Sequence, residues 1–192
     1  EEYYANGNLK LKGEYLYGQR HGNWKWYYED GTLESDYNYV YGDLVGETKD
    51  YHPNGKVKEV RFYELGKLQG TEKDYNEDGV LRAEIPYVNS KIHGKRYFYA
   101  EDGPLHMIRH YNNGDIIGYS YFDKSEKEVE MIATPNETGK VVCYFANGKK
   151  AREMNIVKGS FEGTYASYYS TGQLYQEQEY KNDERKVEVK TY

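Results

Sequence analysis

Five histidines, one cysteine and a recurring set of acidic pairs are the groups of this sequence that could do chemistry. His21 and His93 stand beside loop glycines at equivalent places in a repeating pattern, so they belong to that pattern; the others are His52, His106 and His110. His106 and His110 share the parity of one strand. Four residues of extended chain separate their Cα atoms by about 13 Å, too far to share one metal ion without a third ligand. Glu29-Asp30, Glu77-Asp78 and Glu101-Asp102 each precede a glycine, which is turn chemistry, since Asp tolerates such backbone conformations. A carboxylate pair for acid–base work needs a cleft that perturbs its pKa values, and nothing in the sequence marks one. Cys143 is the only cysteine, which excludes a disulfide framework and a thiolate metal cluster. No glycine loop of the phosphate-binding kind occurs. The expectation is therefore no catalytic residue, no metal and no cofactor. Trp24 and Trp26, the only tryptophans, alternate on one strand and should face the same side. They are read as sheet packing, with a platform for a sugar ring or a peptide as the alternative. Trp24, Trp26, Tyr27, Tyr51, Tyr75 and Tyr99 form the candidate binding face.

The elements that must position these residues follow from internal periodicity. Tyrosine recurs at Tyr3, Tyr27, Tyr51, Tyr75 and Tyr99, each 24 residues apart, and again at Tyr144, Tyr168 and Tyr192. Four residues after each of these, up to Tyr168, stands a glycine, from Gly7 and Gly31 through Gly148 and Gly172. An apolar column follows at Leu9, Leu33, Val57, Leu81, Leu105 and Leu174, and a second aromatic column at Tyr15, Tyr39, Tyr63, Tyr87, Tyr111 and Tyr180. Then come glycines four apart, as in Gly18/Gly22, Gly42/Gly46 and Gly66/Gly70. A fixed period with this many aligned columns is the signature of a tandem array.

Asn-Gly or Asp-Gly between alternating residues marks a hairpin, and Leu9-Lys10-Leu11-Lys12 and Trp24-Lys25-Trp26 alternate with period two. No segment holds a helical apolar period between caps. The fold class is all-β: an elongated, curled antiparallel meander of about eight tandem 24-residue hairpins, a single layer without a conventional globular core. It is read as one array over residues 1–192. The sixth unit, about 123–143, is degenerate: Asp123 stands where Tyr is due and Lys127 where Gly is due, and the next Tyr arrives after 21 residues. The three missing residues are placed in the hairpin loop, where Asn136-Glu137-Thr138-Gly139 would make a tighter turn, because loops tolerate length change and strands do not. The C-terminal unit, 168–192, has Asp183 and Val187 in place of loop glycines and ends Lys186-Val187-Glu188-Val189-Lys190, a charged terminal strand suited to capping the edge.

Composition narrows the partners. With 26 Lys+Arg against 32 Asp+Glu, the net charge is −6, without the basic excess that a nucleic-acid binder or an anionic membrane surface requires. The 25 tyrosines give the chain apolar area to bury despite a polar composition. No apolar run reaches the length of a membrane span. The sequence begins Glu1-Glu2-Tyr3 without methionine. That start suggests an upstream segment, with a secretion signal and a lipoprotein leader both open, and favours the cell envelope or secretion over the cytoplasm.

Units such as His21-Gly22-Asn23-Trp24-Lys25-Trp26-Tyr27-Tyr28 and Tyr27-Tyr28-Glu29-Asp30-Gly31-Thr32-Leu33 resemble the MORN repeat in its bacterial variant form. Proteins built from that variant are often labelled YwqK-like antitoxins. The resemblance implies a hairpin array used for protein contact, antitoxin- or immunity-like in its sharper form. The alternative is a cell-envelope carbohydrate or cell-wall binder using exposed Tyr and Trp rings.

Overall fold

The computed structural model describes residues 1–182, 184–186 and 190–191. The chain forms two compact units, Glu1–Lys91 and Ile92–Tyr192. In the first, strands Leu9–Leu16, Gln19–Tyr27, Leu33–Val40, Gly46–Tyr51, Val57–Glu64, Lys67–Tyr75 and Leu81–Val88 follow one another as an antiparallel meander. The register is regular: Trp24 lies opposite Tyr37, Thr48 opposite Arg61 and Glu72 opposite Ile85. The all-β meander thus has the form that the spacing predicts.

Two kinds of turn alternate. At Tyr17-Gly18, Tyr41-Gly42 and Leu65-Gly66 both residues have positive φ (51° and 78°, 48° and 88°, 47° and 73°), the two-residue hairpin turn whose twist matches the strands it joins. At the other end, the Tyr28 carbonyl accepts from Gly31 N–H at 2.9 Å, with Gly31 at φ 92°. There the expected Asp-Gly turn is found, and Asp30 Oδ1 accepts from Thr32 N–H at 2.8 Å. Successive turns at this end are tied one repeat apart. Tyr4 donates its hydroxyl to the Tyr27 carbonyl and Tyr28 to that of Tyr51, both at 2.7 Å, and His52 Nε2 meets the Tyr75 carbonyl at 2.9 Å. The side-chain amides of Asn6 and Asn54 donate in the same way to the carbonyls of Glu29 and Glu77.

The second unit holds Gly94–Tyr99, Leu105–Asn112, Asp115–Ser120 and the short Ile132–Ala133, and then a separate sheet of Gly139–Tyr144, Lys150–Val157, Gly163–Tyr168 and Leu174–Lys181. Here the expectation of a layer without a globular core is corrected. Leu105–Asn112 packs against Gly139–Tyr144 and Lys150–Val157, and Met107, Tyr119, Val141, Cys143, Met154 and Ile156 form a buried cluster between them. Apolar side chains from two sheets exclude water from each other, the usual reason sheets stack.

The sixth unit also departs from its expected geometry. The tight-turn pair recurs at 24-residue steps from Tyr17 to Asn113, then at Asn136 and Lys158. Two residues are indeed lost beside the Asn136-Glu137 turn: Gly139 follows Asn136 by three positions, where Gly46 follows Tyr41 by five. The third is lost from the preceding strand end. Glu126 N–H donates to the Asp123 carbonyl as Gly31 does to Tyr28, so Glu126, not Lys127, occupies the turn-glycine position, at φ 58°. In the C-terminal unit, Lys190–Thr191 pairs with Leu174–Lys181; Asp183, Val187–Val189 and Tyr192, which carry the proposed cap, lie outside the described residues.

Candidate functional site

The six candidate binding residues do not share one face. Trp24 and Trp26 lie on the side that bears Tyr37 and Tyr39, with ring centroids of Trp24–Trp26 5.7 Å and Trp26–Tyr37 5.3 Å apart. Strand alternation puts Tyr27 on the other side, where it borders an open hollow with Lys12, Glu14, Asn23 and Lys25. Tyr51, Tyr75 and Tyr99 are the half-buried equivalents of Tyr27 in later repeats. Trp24 is 2% exposed. It sits directly over Gly13, where an added Cβ would lie 2.1 Å from the indole, and its Nε1 donates to the Glu14 carbonyl at 3.1 Å. The Arg20 guanidinium lies over Trp24, Trp26 and Tyr39 at 4.9, 5.5 and 5.4 Å from their ring centroids.

Two strands further, the same face turns polar. Asp50 accepts from Ser35 Oγ at 2.6 Å and Tyr37 OH at 2.7 Å, and is held by Arg61 Nη2. Arg61 Nε is 3.1 Å from Glu59. Burial, together with the bond to Asp50, pushes the Tyr37 phenol up to about 12. Burial also raises the Glu59 carboxyl, against the pull of Arg61. Glu59, Glu72 and Asp74 can each present an oxygen within 4.8 Å of the others, a set that suits a hard divalent cation, although Glu59 already pairs with Arg61.

In the second unit, His106 and His110 lie on Leu105–Asn112, and among the described residues no third ligand joins them. His106 is buried and stacks on Phe98, with centroids 6.3 Å apart. His110 Nε2 meets Ser120 Oγ at 2.7 Å, and Ser120 donates to Glu128 Oε1 at 2.6 Å. These are the residue types of a hydrolytic triad, but not its geometry. A triad uses both imidazole nitrogens, one toward the nucleophile and one toward the acid, whereas here Nε2 faces Ser120 and, at 3.5 Å, Glu128 as well. Ser120 is also 0% exposed, so no substrate carbonyl can reach it. Burial lowers the His110 pKa against the attraction of Glu128. Cys143 is buried in the core, and burial pushes its thiol up to about 12, the opposite of an activated nucleophile.

Two features escaped the sequence reading. The first is a row at the tight turns, where Tyr17, Tyr41 and Leu65 are 88%, 53% and 83% exposed while holding left-handed backbone. Its only signal was the departure from Asn, the residue that later units carry at Asn89, Asn113 and Asn136. The second is a cavity of about 370 Å³ in the C-terminal unit lined by Arg96, Arg109 and Arg152 beside Phe98 and Gln178.

Among the described residues no helix is long and apolar enough to cross a membrane. No curated protein matches the chain. The MORN repeat variant family matches residues 1–17, 20–41, 44–65, 68–89 and 161–182, together more than half of the sequence. The unmatched stretch between them continues the hairpins of the repeat, interrupted by the shortened sixth unit. Repeats of this kind generally serve as contacts to proteins or membranes. By its matched repeats and its hairpin meander, the chain belongs to the MORN repeat variant family.

Proposed function

We propose that the chain is a non-catalytic scaffold whose tight-turn edge in the N-terminal unit docks another protein. The observation that carries this is the row Tyr17, Tyr41, Leu65. A side chain with a Cβ costs about 1–2 kcal/mol in left-handed backbone, and Asn or Gly would relieve most of it. Three successive turns keep a large apolar residue there and expose it to water. Strain and exposure held at the same three positions favour a role outside folding. Neighbouring turns are fixed by the bonds Gly42 N–H to the Arg20 carbonyl and Gly66 N–H to the Leu44 carbonyl, at 2.9 and 3.0 Å. With two strands per repeat, the three side chains stand about 10 Å apart, a spacing suited to a polypeptide surface. A glycan platform on the tryptophans is less favoured, because Arg20 covers both indoles. The sharper form, an antitoxin or immunity-type protein, rests on the resemblance to YwqK-like antitoxins and would make the partner a toxin.

The test is the triple variant Tyr17→Asn, Tyr41→Asn, Leu65→Asn. It should melt at the same temperature as the wild type or higher, gaining about 0.5–1 kcal/mol per turn. It should also lose at least ten-fold in affinity for a partner that the wild type binds as a purified pair. Undiminished binding would remove the edge from the interface. If a toxin gene adjoins this one, growth rescue on co-expression of the pair tests the sharper form.

A further inference from the structure

We propose that the C-terminal unit carries a binding site for a small oxyanion, a phosphoryl or carboxylate group, held by Arg96, Arg109 and Arg152. Arg96 and Arg109 are direct partners across adjacent antiparallel strands, a placement in which like charges repel. Arg152 joins them around a single ring: the three guanidinium carbons lie 4.5, 5.5 and 5.3 Å from the Phe98 centroid. The ring face attracts cations, but one quadrupole does not neutralise the facing charges of Arg96 and Arg109. Among the described residues lining the cavity there is no aspartate or glutamate; besides the arginines they are Phe98, Phe161, Tyr165, Tyr180, Gln176 and Gln178.

Arg109 donates to the Tyr111 hydroxyl at 3.5 Å and to Met154 Sδ at 3.8 Å, both weak. Arg96 Nε is buried without a hydrogen-bond partner, and a buried donor left so is destabilising. Gln178, 6% exposed, accepts the Tyr180 hydroxyl on Oε1, which leaves its amide nitrogen as a further donor. Planar guanidinium forks match the oxygens of phosphate and carboxylate. A cavity of about 370 Å³ is at the small end of the range for small-molecule sites. An oxyanion in this cavity would meet Arg96 and Arg109 together and supply a counter-charge to their cross-strand pair.

The measurement is isothermal titration of the whole chain with inorganic phosphate, pyrophosphate and citrate, with sodium chloride at matched ionic strength as the control. Melting temperatures are read alongside. The wild type should bind at least one of the three anions saturably with a matching rise in melting temperature, and chloride should do neither. Arg96→Gln and Arg109→Gln should each weaken that binding at least about ten-fold, and Arg96→Lys, which keeps the charge without the fork, by less. Arg20→Gln in the N-terminal unit should leave it unchanged. Pyrophosphate preferred over citrate would assign phosphoryl ligands, and the reverse carboxylates. Absence of saturable binding to the wild type, or equal binding by the wild type and a folded Arg109→Gln variant, overturns the site.

Discussion

The N-terminal and C-terminal units share one backbone repeat and differ in what fills it. At one recurrent cross-strand pair, the first unit places Trp24 opposite Tyr37, Thr48 opposite Arg61 and Glu72 opposite Ile85. At the equivalent pair the second unit places Arg96 opposite Arg109, Val141 opposite Met154 and Tyr165 opposite Gln178. Aromatic, polar, apolar and like-charged pairs occupy the same place without a change of strand direction. The hairpin geometry therefore depends on the turns and the ladder, while the inner columns are free to vary. What the second unit adds is a second sheet. In the sixth unit the strand after the Glu126 turn is only Ile132–Ala133, and a new sheet begins at Gly139; there Met107, Val141 and Met154 enclose a core.

Three substitutions would break or sharpen that contrast. The largest effect is expected from Met107→Ala, because Met107 is 0% exposed within the core of the second unit. Truncating a buried Met destabilises by about 2–5 kcal/mol, and a loss below about 1 kcal/mol in urea unfolding would mean that the stacked sheets leave no packed core. Next is Gly13→Ala in the first unit. Its methyl group would fall inside the Trp24 ring, so the indole must move, at about 1–3 kcal/mol for an overpacked site. The equivalent positions Arg109 and Met154 carry long side chains. If Gly13→Ala melts like the wild type, the indole has another resting place and the first unit is less tightly specified than its geometry implies. The smallest effect is a gain. Glu126→Gly places glycine at φ 58° and should stabilise the second unit by up to about 1 kcal/mol. A loss of stability would show that the Glu126 carboxylate makes a contact worth more than the backbone strain.

Much of the fold could be read from the sequence because periodicity is a property of position alone. The Tyr3-to-Tyr99 column, the Asp30-Gly31 turn and the tight turn beside Gly42 stand where the 24-residue step places them. The candidate face was not legible in the same way. Tyr27 adjoins Trp26 in sequence but alternates to the opposite side, and whether Trp24 is covered depends on Gly13, eleven residues earlier on a neighbouring strand. The arginine cavity draws on strands as distant in sequence as Gly94–Tyr99 and Leu174–Lys181, and no local pattern announces such a meeting. The sixth unit shows the limit of spacing itself: three missing residues can be counted, but where they are missing from is decided by which hydrogen bonds survive.

The bonds that tie one turn to the next carry a consequence for how such a chain can change length. Tyr4 reaches the carbonyl of Tyr27, Tyr28 that of Tyr51, and His52 meets that of Tyr75, each 23 residues ahead. Duplicating or excising a whole repeat hands every donor an equivalent acceptor, whereas a shift of one or two residues leaves donors facing the wrong atoms. Inheritance in whole units is thus the tolerated path of growth. In the sixth unit the step is irregular and Asp123 stands in the place of Tyr28. The turn before it is tied instead to one 68 residues ahead, with Asp102 accepting from Ser170 N–H and Oγ at 3.0 and 2.6 Å. A repeat protein that counts in 24s makes its sharpest structural change at the one place where the count fails.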